Sequence, residues 1–175
     1  MFNKILVATD GSSHANKALE LAGNLAKIHE ASLVILHVLQ HGQVPENIRK
    51  MVENEHLVAQ SRQSAPRLAE SARGLVAVMG KSADDMDLSQ KAFHAYGEHL
   101  LARSEHDAHS LGIHDVKTVL EDGDPVDRVL DCAKNHGVDL IILGTRGLSD
   151  LKGMLMGSVS HKVIQLAPCT CISVK

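Results

Sequence analysis

Aromatic residues are almost missing from this chain of 175 residues: it has Phe2, Phe93 and Tyr96, and no tryptophan. Without aromatic faces there is no platform on which bases can stack. With 21 acidic against 18 basic residues and a formal net charge of −3, no basic excess is available to follow a phosphate backbone either. Nucleic acid is therefore not an expected partner. Nowhere do about 18 apolar residues follow one another, so no membrane insertion is expected. The run from Met1 through "KILVATD" is too short for the apolar region of a secretion signal and has no small-residue cleavage site. These absences predict a soluble, cytoplasmic protein. Three cysteines, Cys132, Cys169 and Cys171, cannot form a disulfide framework, and the Cys-x-Cys pair lacks the second pair a zinc site needs. On a strand, Cys169 and Cys171 lie on one face, and burial as small apolar residues is the expectation.

What the chain does contain is a regular alternation of two patterns. "KILVATD" (Lys4 to Asp10) is a continuous apolar run, the signature of a strand covered on both faces, and it ends in turn-forming Asp10-Gly11-Ser12-Ser13. Ser12 or Ser13 can cap a helix whose apolar positions Ala15, Ala18, Leu19, Ala22, Leu25, Ala26 and Ile28 recur at helical spacing. "ASLVILHVL" (Ala31 to Leu39) is a second buried strand, and strand, helix, strand within about 40 residues is a βαβ unit with a parallel sheet. The C-terminal half repeats the pattern. "VKTVLEDGDP" gives a strand and turn, "PVDRVLDCAKNHG" a helix closed by Gly137, and "DLIILGT" a third buried strand. A helix from Gly157 to Ala167 is stopped by Pro168 before a last strand, "CTCISVK". Phe93, Tyr96, Leu100, Ser104, Ala108 and Leu111 mark the buried stripe of one further long helix, ended by Gly112. His99, His106 and His109 fall on its opposite side and read as a solvated polar face rather than a metal site. The sum is one α/β domain with five strands.

Two segments compete as phosphate sites. "GLVAVMGKS" ends like a Walker A loop, but five residues rather than four separate Gly74 from Gly80, and the polar, helix-like run before it is the wrong context. "GTRGLSDLKGMLMGSVS" follows a buried strand instead. Gly144 and Gly147 permit a sharp turn and a close backbone approach, while Gly157-Ser158 opens a helix whose first N–H groups and positive dipole end suit a phosphate. Plainer roles exist for the same residues: Asp10 as a cap for the first helix, the glycines as turn formers, and Ser158 as an N-cap.

The spacing Gly-x2-Gly-x9-Gly-Ser, here Gly144, Gly147, Gly157 and Ser158, resembles the ATP-binding motif of the universal stress protein family, as do "KILVATDGS" and "APCTCISV". The resemblance implies a Rossmann-like fold: an open five-stranded parallel sheet in the order 3-2-1-4-5 with helices on both faces. It covers residues 1–175 as a single domain, with an enlarged insertion at about 40–88. It implies ATP where strands 1 and 4 diverge, the switch point that binds ligands in open α/β sheets. Ala8, Thr9 and Asp10 would lie beside adenine and ribose, the backbone of Val38 against the adenine edge, and Gly144 near the ribose. Thr145, Arg146 and Gly147 would lead to the phosphates, which Gly157, Ser158, Val159 and Ser160 would wrap. Thr170 departs from the family, many of whose members carry proline there. The resemblance further implies a homodimer paired through the last strand, whose apolar edge needs protection. The function expected is a nucleotide-dependent regulator of the stress response, with no catalytic residues and Mg²⁺ carried only on the phosphates. The alternatives are slow Mg-dependent ATP hydrolysis, or a dimeric interaction protein that binds AMP weakly or binds no nucleotide.

Overall fold

The computed structural model describes residues 1–39, 85–148 and 156–175, with side chains in the middle stretch from residue 94 onward. The segment "GLVAVMGKS" and nearly all of the insertion at about 40–88 lie outside the described residues. Contacts group the chain into two units, Met1–Gln40 with Leu100–Lys175, and His41–His99. Of the second unit, the described part is helical.

The first unit is built on a five-stranded parallel sheet in the order β3-β2-β1-β4-β5, as the resemblance implied. Its strands are β1 (Lys4–Ala8), β2 (Ser32–Leu39), β3 (Val116–Asp122), β4 (Leu140–Gly144) and β5 (Thr170–Val174). The helices are α1 (Ser13–His29), α2 (Asp85–Ser110), α3 (Pro125–His136) and α4 (Ser158–Leu166). The buried positions of the central strands are apolar apart from His37, because both faces are covered. Strand alternation divides them into two cores. Ile5, Val7, Leu33, Ile35, Leu140 and Ile142 pack with Ala18, Ala22 and Ala26 of α1 and with Leu101 and Ala108 of α2. Leu6, Val34, Leu36, Ile141 and Leu143 pack on the other side with Val129 and Cys132 of α3 and Val163 of α4. Cys169 and Cys171 join this second cluster together, as their spacing predicted, but each is only half-buried because β5 is an edge strand.

Local chemistry sets the helix ends. Ser12 Oγ accepts from the Ala15 amide at 3.2 Å to start α1, and Asp124 accepts from the Val126 amide at 2.9 Å to start α3. Gly137, at φ 64°, closes α3, and Gly112, at φ 87°, follows the end of α2. In the last turn of α2, the His109 Nδ1–H donates to the Ile113 carbonyl at 2.8 Å. No group of three or more metal-ligating side chains occurs among the described residues, and no described helix is long and apolar enough to cross a membrane. At the amino ends of the strands, Asp139 accepts from the amides of Asn3 (2.8 Å) and Lys4 (3.1 Å), tying the start of β4 to the start of β1. Desolvation opposes its charge, but the hydrogen bonds from Asn3 and Lys4 outweigh this and hold the carboxyl below its ordinary range.

Two features of the carboxyl ends stand out energetically. A Cβ added at Gly144 would stand 2.8 Å from the His14 carbonyl carbon and 2.9 Å from the Ala15 amide nitrogen, so this glycine lets the backbone of α1 lie directly against β4. Its φ is not positive, so its role is close packing rather than turning. His37, buried within β2, places Nδ1 at 2.8 Å from the Thr9 carbonyl just beyond β1. A carbonyl only accepts, so the proton sits on Nδ1. Burial lowers the His37 pKa more than the Thr9 hydrogen bond and the nearby Asp10 carboxylate raise it.

Both features have measurable consequences. Gly144→Ala forces backbone against backbone and is expected to cost about 1–3 kcal/mol, seen as a fall of several degrees in melting temperature. An unchanged melting temperature would show that α1 can retreat freely. Because the His37 pKa is depressed in the folded chain, protons bind preferentially to the unfolded chain. Its contribution to stability is thus present above the ordinary histidine value and is lost as pH falls through that value towards the folded one. His37→Asn keeps a donor near the Nδ1 position and removes the titration. Melting curves between about pH 7.5 and pH 5.5 should therefore fall less steeply for the variant than for the parent. Equal slopes would exclude His37 as a contributor.

Candidate functional site

β1 and β4 are neighbours in the sheet, yet the helices that follow them pack on opposite faces, α1 with the first core and α4 with the second. The chain order reverses between them, and this switch point is the position at which open parallel sheets bind ligands. The residues around it come from the ends of β1, β2 and β4 and from the start of α4.

The segment after β4 is zipped to the segment that leads from β1 into α1, with the two running in opposite directions. Gly144 lies against His14 and Ala15. Two residues further, the Arg146 carbonyl accepts a long hydrogen bond from Ser12 Oγ at 3.4 Å. Next, a Cβ at Gly147 would collide with Asp10 Oδ2, and the Leu148 amide donates to that same oxygen at 2.9 Å. Asp10 Oδ1 meanwhile accepts from the Ser12 amide at 3.0 Å in an Asx turn. Asp10 is thus not the N-cap of α1. Ser12 fills that place, and Asp10 shapes the loop before it and holds the loop across from it.

The same five residues are fastened on two further sides. Thr145, buried, donates to the Val174 carbonyl with both its amide (2.6 Å) and its hydroxyl (3.1 Å), anchoring the loop to the end of β5. The Gly157 amide donates to the Thr145 carbonyl at 2.7 Å, and Ser160 Oγ donates to the Gly144 carbonyl at 2.7 Å, anchoring the start of α4. Ser160 is buried, so in this structure its hydroxyl serves the joint between β4 and α4.

The remaining residues singled out by sequence lie around this loop. Ala8 and Val38, at the ends of β1 and β2, are half-buried beside the second core, with Val159 of α4 packed against the same cluster. Thr9 is buried: its amide extends the ladder to the Leu36 carbonyl at 2.8 Å, and its Oγ1 accepts from the Gly11 amide at 3.3 Å. Ser158 is exposed in the first turn of α4. Two further residues belong to the site. His37 bridges the ends of β2 and β1, and the one clue to it in the sequence is a polar residue inside the apolar run "LVILHVL". His14 meets Gly144, a contact with no local sequence signal.

Chemically, the site offers backbone amides. α1 and α3 each begin with a side-chain cap, whereas α4 begins at Gly157, which has no side chain to accept from the first turn. The backbone of Gly157, at φ −71° and ψ 156°, suits any residue, and among the described residues a Cβ there would meet the Thr145 carbonyl at 3.4 Å and Arg146 Cα at 3.6 Å. Gly144 and Gly147 are therefore glycines for reasons internal to the protein. At Gly157 the described residues impose no such demand, and no side chain of its own caps the first turn of α4.

The family model described as the universal stress protein family matches residues 1–175. Universal stress protein YxiE of Bacillus subtilis (strain 168) is 37% identical over 175 residues, covering 100% of both chains. Among solved structures, the universal stress protein UspA from Lactobacillus plantarum superposes with a TM-score of 0.66 at 24% identity, covering 99% of this chain and 97% of that one. A universal stress protein family protein from Arabidopsis thaliana with AMP bound gives 0.58 at 19% identity, covering 99% and 91%. These two share the fold. From the match over its whole length and the identity to the Bacillus protein, the chain belongs to the universal stress protein family.

Proposed function

We propose that this protein binds an adenine nucleotide, ATP carried with Mg²⁺, at the switch point between the ends of β1 and β4, and acts as a cytoplasmic, nucleotide-dependent regulator of a stress response. The observation that carries the reading is the start of α4. A helix of nine residues opens at a glycine, with no side-chain cap, beside a loop whose own glycines are fixed by packing. Phosphate oxygens are the acceptors that fit such amides. On this reading the amides of Ser158, Val159 and Ser160 hold the phosphates, with Arg146 supplying charge. Ala8, Thr9 and the backbone of Val38 line the adenine end, and Asp10 and Gly144 lie by the ribose. The protein's own donors bind and orient the nucleotide, and Mg²⁺ would neutralise phosphate charge.

A second reading is favoured by the AMP bound to the Arabidopsis relative: the resident nucleotide is a monophosphate. One measurement separates the two. Nucleotide released by heating freshly purified protein is identified by chromatography, with ATP expected; AMP alone would establish the second reading, and no nucleotide would count against both. Slow hydrolysis is the enzymatic alternative, and turnover of added ATP over hours decides it.

Gly157→Ser tests the site with effects of opposite sign. Serine is a good N-cap and suits this backbone, so it should hold or slightly raise the melting temperature of ligand-free protein. By engaging the first-turn amides itself, it should weaken ATP binding about tenfold, equivalent to roughly 1.4 kcal/mol. ATP at about 100 times its dissociation constant adds roughly 2.7 kcal/mol of stability, so the parent, and also Lys81→Ala, should melt several degrees higher with ATP. A Lys81→Ala protein blind to ATP, with Gly157→Ser still responding, would move the phosphate site to Gly74–Ser82.

The homodimer belongs to the same proposal. β5 is an edge strand, hydrogen-bonded in its sheet to β4, and edge strands with apolar positions such as Ile172 and Val174 are protected by pairing. Two copies joined about a twofold axis would bring Cys169 or Cys171 near its counterpart. Sedimentation at micromolar concentration should give a dimer, and a monomer alone would overturn this part of the reading.

A further inference from the structure

We propose that Asp10 is a positioning residue: a carboxylate clamp that holds the first residues after β4, up to Leu148, against the segment leading into α1, with Gly147 as the glycine the clamp requires. Three observations carry this. Asp10 is gripped at both oxygens, by the Ser12 amide at 3.0 Å on Oδ1 and by the Leu148 amide at 2.9 Å on Oδ2. The space a Cβ at Gly147 would need is filled by Oδ2. A flexible side chain could ordinarily swing away from an added methyl group. Here Oδ1 is held within its own Asx turn, so a shift of the carboxylate gives up the Leu148 amide first. The clamp also lies at the far end of a row of contacts between the same two segments, beyond Gly144 against Ala15 and Arg146 against Ser12.

The role differs from contact with a ligand. A carboxylate that accepts from the Leu148 amide, about 138 residues away, fixes Gly147 and Leu148 before any nucleotide arrives. The functional consequence rests on the nucleotide reading above, since the loop is the one proposed to lead from ribose to phosphates. The clamp itself does not rest on it.

A double-mutant cycle on the full chain, freed of nucleotide, tests the clamp directly. Gly147→Ala should lower the melting temperature by about 2–4 °C in the parent and by less than about 1 °C when Asp10→Ala has already removed the obstructing carboxylate. Equal falls in both backgrounds, or none in either, would overturn the proposal. The second readout is affinity for ATP. Gly147→Ala should weaken it about tenfold in the parent but less than about twofold in the Asp10→Ala background, whereas a methyl group that blocks the ligand itself would weaken both equally. If the parent binds no ATP, the nucleotide reading fails and the melting cycle still decides the clamp. Should Asp10→Ala not fold, amide exchange decides. The Leu148 amide should exchange at least about tenfold more slowly than an unstructured amide in the parent and lose that protection in Gly147→Ala, and a Leu148 amide unprotected in the parent would overturn the clamp.

Discussion

The approach of α1 to β4 at Gly144 is the contact on which the carboxyl end of the sheet depends. With no Cβ in the way, the His14–Ala15 backbone lies within van der Waals reach of a central strand. Once that distance is set, the residues on either side fall into line: Ser12 reaches the Arg146 carbonyl, and Asp10 reaches the Leu148 amide. A larger residue at 144 would move the helix, and with it every contact in the row. Close packing of this kind transmits small displacements because interiors are dense and have few voids to absorb them.

The site that results is made of backbone far more than of side chains. Thr145 and Ser160, which look like ligand donors in a sequence, direct their hydroxyls to main-chain carbonyls of β5 and β4. Such bonds satisfy polar groups that burial would otherwise make costly, and they stiffen the loop around the switch point. At the start of α4 a glycine stands in place of a side-chain cap, and Ser158 beside it is exposed. An anion bound there, as proposed, would meet donors already fixed by the helix, so little ordering would remain to be done on binding.

Much of the fold is legible in the sequence because its signals are local. Apolar runs mark the buried strands, Ser12 or Ser13 marks the start of α1, and Gly137 marks a helix end within a residue of its true place. The strand order was reached through family likeness, not through periodicity, and the sheet agrees with it. What composition and spacing cannot convey is the cause of each feature. Gly144 and Gly147 read equally well as turn formers, yet their neighbours in space are residues 10 to 15, about 130 positions earlier. His37 looks like an interruption of an apolar strand until the Thr9 carbonyl is placed beside it. Ser160 reads as a donor for a ligand until its depth is known. In each case the deciding partner is distant in sequence, and a single chain carries no mark of it.

Thr145 joins the switch point to the outermost strand through a single acceptor, the Val174 carbonyl. By thermodynamic reciprocity, any event at the switch point that strains this joint is felt at the sheet edge, and any event at the edge is felt equally at the switch point. The joint also limits that exchange. Two hydrogen bonds to one oxygen contribute about 0.5–1.5 kcal/mol each, so no signal passing through them can exceed roughly 1–3 kcal/mol. Communication along this route can grade an affinity, but it is too weak to act as an all-or-none switch.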